Sequence, residues 1–163
     1  MKMLLLFTYY SIFIILATIN IYPQLDDVEK IKSLSVQELV KNKSENEKKI
    51  DPPLFYQIVA YKKDILNGKN EILSLNQLKE HYKSSQFRDN KILITIRLNT
   101  KDQKIIDEIK PELLALDCEI TNSYSGHNNF IEFTAWVLLD EILNITKLNQ
   151  VMLVEAVSPF FFR

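Results

Sequence analysis

The apolar residues between Lys91 and Val157 recur in the order strand, helix, strand, strand, helix, strand. That order predicts an α+β fold in which four antiparallel strands form one sheet and two helices cover one of its faces, the ferredoxin-like βαββαβ sandwich. Two further observations support it. The 163 residues are 47% hydrophobic and 25% charged, a globular composition sufficient for one modest core plus an extension. Between Tyr22 and Lys91 the apolar runs are short and separated by polar, charge-rich stretches, which predicts a helical or irregular N-terminal extension.

In the 91–163 module, Ile92, Ile94, Ile96 and Leu98 alternate with Leu93, Thr95 and Arg97, a strand with one firmly apolar face. Thr100-Lys101-Asp102-Gln103 reads as a capping box. The helix it opens carries Ile105, Ile106, Ile109, Leu113 and Leu116 at helical spacing, with Pro111 expected to kink it or split off a last turn. Cys118, Ile120 and Tyr124 mark a second strand, Ser125 to Asn129 a turn, and Phe130 to Val137 a third strand. Leu139, Ile142, Leu143, Thr146 and Leu148 define the second helix, and Val151 to Val157 the last strand.

Residues 1–21 form a separate unit. Lys2 precedes an almost continuous apolar run from Leu4 to Ile21, read as a secretory signal peptide that places the chain in the secretory pathway. The run is also just long enough to span a bilayer, so a retained anchor is the competing reading, and a membrane partner is expected only in that case. Residues 22–51 are polar. Val28, Ile31 and Leu34, then Val36, Leu39 and Val40, predict two short amphipathic helices, the second capped by Ser35. Lys41 to Lys49 reads as a solvated linker.

Residues 52–90 are expected to fold onto the main module. Pro52-Pro53 reads as a stop, and Leu54 to Tyr61, rich in aromatic and β-branched residues, as a strand. Asn67-Gly68-Lys69-Asn70 is a turn, and Ser74-Leu75-Asn76-Gln77 a capping box opening a helix to about Ser85.

The composition narrows the function classes. A formal charge of −1 gives no basic face for nucleic acid. With two glycines there is no Gly-rich phosphate loop, and no cofactor is implied. Cys118 is the single cysteine, and His81 and His127 lack ligand spacing, so no metal site is expected. No glycine-flanked serine elbow is present and no small-molecule substrate is implied, so the chain reads as a non-enzyme. Asn42-Lys43-Ser44 and Asn144-Ile145-Thr146 are glycosylation sequons that an Asn-rich chain also produces by chance.

The second sheet face is unusual for one that meets water. In the third strand Ile131, Phe133, Ala135 and Val137 suit the helix side, leaving Phe130, Glu132, Thr134 and Trp136 outward. In the last strand Met152, Val154 and Ala156 suit the core, leaving Val151, Leu153, Glu155 and Val157 outward. Apolar side chains around two carboxylates mark an interaction surface unless residues 25–90 cover them.

The residues that carry a family resemblance lie in this half. Asn129-Phe130-Ile131-Glu132-Phe133-Thr134-Ala135, then Leu139 to Leu148, then Asn149-Gln150-Val151-Met152-Leu153-Val154-Glu155, resemble the C-terminal half of the propeptide of subtilisin-like serine proteases. Ile92 to Leu98 is similar to that family's first strand. The resemblance extends to the stand-alone prodomain-like proteins of malaria parasites. It implies the βαββαβ sandwich and an inhibitor, or folding helper, of a subtilisin-like protease. Glu155 matches a carboxylate that in the family caps two protease helices, whereas Val157 stands where a second acidic residue usually follows.

The segment from Val151 to Arg163, which ends in the tail Ser158-Pro159-Phe160-Phe161-Phe162-Arg163, is similar in length to the one that joins the last strand to the scissile bond in such propeptides. The resemblance implies that it lies in the protease cleft as an added strand. Phe160 would enter the apolar pocket four residues before the cut, Phe162 would lie beside the catalytic histidine, and Arg163 would fill the primary pocket. The alternative reading is a secreted ferredoxin-like interaction module with no protease target.

Overall fold

The computed structural model describes residues 28–81, 85–100, 102–125 and 130–157. The expected leader, most of the turn after Ser125 and the tail Ser158–Arg163 lie outside the described residues.

Two short helices, α1 (Val28–Ser33) and α2 (Val36–Lys41), come first. Ser35 and Glu38 form the expected capping box on α2, with the Ser35 N–H donating to Glu38 Oε2 at 2.8 Å and the Glu38 N–H to Ser35 Oγ at 3.2 Å. The stretch expected to be a solvated linker is instead folded. A second reciprocal cap joins Ser44 and Glu47, whose backbone and side chains bond at 2.6 and 3.3 Å. This cap opens a 3₁₀ turn, Glu47–Lys49, and Glu47 is buried.

The strand expected at Leu54–Tyr61 is a helix, α3 (Pro52–Leu66). Its buried residues Leu54, Phe55, Ile58, Val59 and Tyr61 fall on one helical face. Pro52 and Pro53 do not stop the chain. They open the helix, where a missing N–H costs nothing and the fixed φ is already helical. Helix α4 (Glu71–His81) begins three residues before the expected cap at Ser74. Asn70 does the capping, since its Oδ1 accepts from the Ile72 and Leu73 N–H groups at 2.9 and 3.3 Å.

A short strand β1 (Phe87–Arg88) turns into β2 (Lys91–Leu98). Helix α5 (Gln103–Ala115) follows, capped by Asp102 rather than Thr100: Asp102 Oδ1 accepts from the Lys104 N–H, and Thr100 Oγ1 from the Asp102 N–H. Pro111 lies within α5 on its exposed side. Then come β3 (Glu119–Ser125), β4 (Ile131–Leu138), a 3₁₀ turn Leu139–Glu141, α6 (Ile142–Lys147) and β5 (Val151–Ala156).

The fold is α+β. All strand pairs are antiparallel: β2 lies between β4 and β5, β3 borders β4, and β1 shares with β5 the same edge of β2. Ile92, Ile94, Ile96 and Leu98 pair with Val137, Ala135, Phe133 and Ile131 on the core face. One apolar cluster joins this face to Ile106, Ile109 and Leu113 of α5, Ile142 and Ile145 of α6, and Ile31, Leu39, Ile50, Leu54 and Phe55 of the N-terminal segment. Residues 28–66 therefore pack on the helical side of the sheet.

Lysines fasten that segment down through backbone carbonyls. Lys49 Nζ donates to Thr146 O at 2.7 Å and Leu148 O at 3.3 Å, closing the C-terminus of α6. Lys63 Nζ does the same for α1 through Ile31 O and Leu34 O. Lys43 Nζ reaches Ile50 O at 3.2 Å and lies 4.3 Å from the Phe55 ring centroid. Beside these, the Asp51 N–H donates to Val154 O at 2.9 Å, and Ile50 bridges Val154 in parallel on the outer edge of β5.

Candidate functional site: the open sheet face

Alternation along β2 turns Lys91, Leu93, Thr95 and Arg97 away from the core. The registers place partners beside each: Trp136 opposite Leu93, Thr134 opposite Thr95, and Glu132 opposite Arg97 on β4. On β5, Glu155 stands opposite Thr95 and Leu153 opposite Arg97. On β3, Glu119 pairs with Trp136. Glu132, Thr134, Trp136, Leu153 and Glu155 thus share one face, and each is partly exposed. Phe130 lies just before β4 and Val157 just after β5, both partly exposed, with the Val157 N–H donating to Leu93 O at 3.0 Å.

Val151 does not belong to this face. It is 2% exposed and pairs with Leu98 in the core, whereas Met152, expected inside, is partly exposed. A bulge between Arg97 and Leu98 shifts the register there, so parity counted back from Val154 fails at the start of the strand.

The face carries charged groups at each end, with apolar side chains beside them and a polar row of Thr95, Thr134 and Glu155 between. At one end Arg97 holds two carboxylates unequally. Its Nε donates to Glu132 Oε1 at 2.6 Å, while Nη2 stands 3.6 Å from Glu155 Oε1, close enough for an ion pair but too long for a hydrogen bond. Glu155 therefore keeps acceptor capacity for another molecule. Leu153 lies opposite Arg97 at this end, whereas Leu93 and Trp136 pair beyond the row of Thr95, Thr134 and Glu155, toward the other end. Leu93 is 5% exposed yet lies outside the main apolar cluster, so its cover comes from neighbours on this face.

At the other end Lys91 Nζ reaches Glu119 at 2.6 Å and Asp117 at 2.9 Å, and Arg88 pairs with Glu119. The Arg88 guanidinium lies 4.8 Å from the Trp136 ring centroid. The hydrogen bond from Lys91 is the largest influence on the Glu119 carboxyl and holds it below the usual range; burial pushes it up by less, and the hydrogen bond from Arg88 lowers it further. Lys91 is pushed up by its bonds to Glu119 and Asp117.

Sequence parity identified Glu132, Thr134, Trp136, Leu153 and Glu155 on this face. It did not single out Arg88, Lys91, Leu93, Arg97 or Glu119 as members of the site, because their roles depend on cross-strand register. Cys118 is buried, as expected of a small hydrophobe at a strand start, and burial first, then Asp117 and Glu141, pushes its thiol up to about 12. Among the described residues no group of three or more His, Cys, Asp or Glu side chains could hold a metal ion.

No helix among the described residues is long and apolar enough to cross a membrane. No known family profile matches the chain, and no solved structure matches it. A TNF receptor-associated factor family protein of Dictyostelium discoideum is 41% identical over 61 residues. That match covers 37% of this chain and 10% of the other protein.

Proposed function

We propose that this chain is a propeptide-like inhibitor of a subtilisin-like serine protease. It docks through the open sheet face and places residues 158–163 in the active-site cleft. The observation that carries the reading is the state of Glu155. It stands on the last strand of a sheet whose helices α5 and α6 share the core cluster on the other side, held loosely by Arg97 at 3.6 Å while Glu132 takes the close contact. A partly exposed anion with unused lone pairs suits the unpaired N–H groups at a partner's helix N-termini. Leu153, two residues before Glu155 on β5, and Trp136 on β4 supply apolar surface for an interface core.

The strand order β5-β2-β4-β3, with α5 and α6 packed into one cluster on a single face, supports the ferredoxin-like assignment that belongs to the same proposal.

The test is inhibition of a subtilisin-like protease by the full chain, by the chain lacking Ser158–Arg163, and by the variant Glu155→Gln. The full chain is expected to inhibit, the truncated chain to lose most of the effect, and Glu155→Gln to weaken it by about tenfold, as for one charge-assisted contact. Equal inhibition by the full and truncated chains would show that the tail is not an active-site ligand. Absence of inhibition by the full chain would refute the proposal.

A further inference from the structure

Arg97 stands between two carboxylates that compete for it. Glu132 on β4 is directly opposite Arg97, whereas Glu155 on β5 is opposite Thr95, two residues along the same face. A directly opposite cross-strand pair is the closer one, about 5 Å between Cβ atoms against about 7 Å for a diagonal pair. The register therefore favours Glu132. Arg97 Nε donates to Glu132 Oε1 at 2.6 Å, and Nη2 is left 3.6 Å from Glu155 Oε1. Among the described residues no hydrogen bond reaches the Glu155 carboxylate, and Arg97 is its ion-pair partner. The side chains of Arg97, Glu132 and Glu155 are 29%, 30% and 39% exposed, so the guanidinium has room to move between the two anions.

The guanidinium is planar, with its N–H donors fixed in a fork. It cannot turn that fork onto Glu155 while Nε keeps its bond to Glu132. Replacing Glu132 by glutamine changes the Nε contact from a charge-assisted bond to a neutral one of about half the strength. Glu155 is then the remaining carboxylate within ion-pair distance of Arg97 among the described residues. Arg97 closes on it and occupies the lone pairs that a partner needs. We propose that Glu132 is a positioning residue: by holding Arg97 it keeps the Glu155 carboxylate open to the N–H donors of a partner. This rests on the reading of Glu155 as the docking anion, and it gives Glu132 an effect on docking that requires no contact with the partner.

One arm of the test needs no protease. Arg97→Met and Glu155→Gln are combined in a double-mutant cycle, read from the urea unfolding constants of the full chain, once with Glu132 present and once with Glu132→Gln. The coupling between Arg97 and Glu155 is expected to be below about twofold with Glu132 present and about three- to fivefold with Glu132→Gln, the range of a well-formed surface pair. In the second arm, Glu132→Gln should weaken inhibition of a subtilisin-like protease by about three- to fivefold. Adding Arg97→Met to Glu132→Gln should recover most of that loss. Recovery separates positioning from a lost contact, because removing Arg97 cannot replace a bond between Glu132 and the protease. Equal coupling in the two backgrounds would overturn the assignment, as would a double variant that inhibits as weakly as Glu132→Gln alone. If the full chain does not inhibit, the protease reading fails, while the coupling still decides the role of Glu132.

Discussion

Replacing Trp136 by alanine tests whether the open face is a surface or a second core. Trp136 is partly buried, opposite Leu93, with Arg88 over its ring at 4.8 Å. A covered tryptophan buries roughly 200 Å². With about two-thirds or more of that covered here, truncation forfeits on the order of 130 Å² of apolar burial, or about 3 kcal/mol. The exposed cation–π contact adds about 0.5 kcal/mol. The expected loss is thus about 3 kcal/mol or somewhat less, since Leu93 and the Arg88 stem can partly close over the gap. Phe133, on the same strand but 0% exposed, should cost more, about 3–5 kcal/mol on truncation to alanine. Urea unfolding of both variants, of Arg88→Met and of the Arg88→Met/Trp136→Ala double variant measures all the terms. A coupling of about 0.5 kcal/mol between Arg88 and Trp136 is expected. If Trp136→Ala costs more than Phe133→Ala, or if the coupling is zero, the account of this face is wrong.

Three further outcomes follow from the contacts described. Lys49→Met removes the ammonium that closes α6 while keeping the apolar stem. It should cost about 1–2 kcal/mol in chemical unfolding, and a change below about 0.3 kcal/mol would show that the C-terminus of α6 is satisfied without it. The Cys118 thiol, buried and raised to about 12, should stay unmodified by a thiol reagent at pH 8 until the protein is denatured; rapid labelling of the native state would contradict that. The folded-state pKa of Glu119 is lowered, so its contribution to stability is present above the ordinary value of 4.5 and fades as pH falls through the lower folded value. The melting-temperature gap between wild type and Glu119→Gln should therefore narrow in acid, and a gap that widens there would refute the pairing with Lys91.

The sequence was most legible where one periodicity held without interruption. Strands β2 and β4 alternate over their whole length, and their outward residues could be read from parity alone. Helix α3 was missed because β-branched and aromatic residues were weighed before period: Leu54, Ile58 and Tyr61 recur at helical spacing, and Pro52-Pro53 signals a helix start as well as a break. Ser74 resembled a cap because a Gln follows three residues later, but Asn70 reaches the same helix end first. Lys43 and Lys49 looked solvated, since nothing local reveals that an ammonium will meet a carbonyl distant in sequence. At the candidate site, Glu132 and Glu155 could be placed outward from the strand pattern, whereas the role of Arg97 between them depends on how three strands align. Val151 went to the wrong face because a bulge is a property of the strand pair, not of either strand alone.

The position of β5 bears on how the two halves of the chain unfold. One side of β5 bonds to β2, and on the other Val154 receives the Ile50–Asp51 segment, while Lys49 reaches a carbonyl 97 residues away. This edge strand thus joins the N-terminal helices to the sheet through contacts of long sequence separation. The N-terminal segment and the sheet are expected to unfold in one transition rather than two.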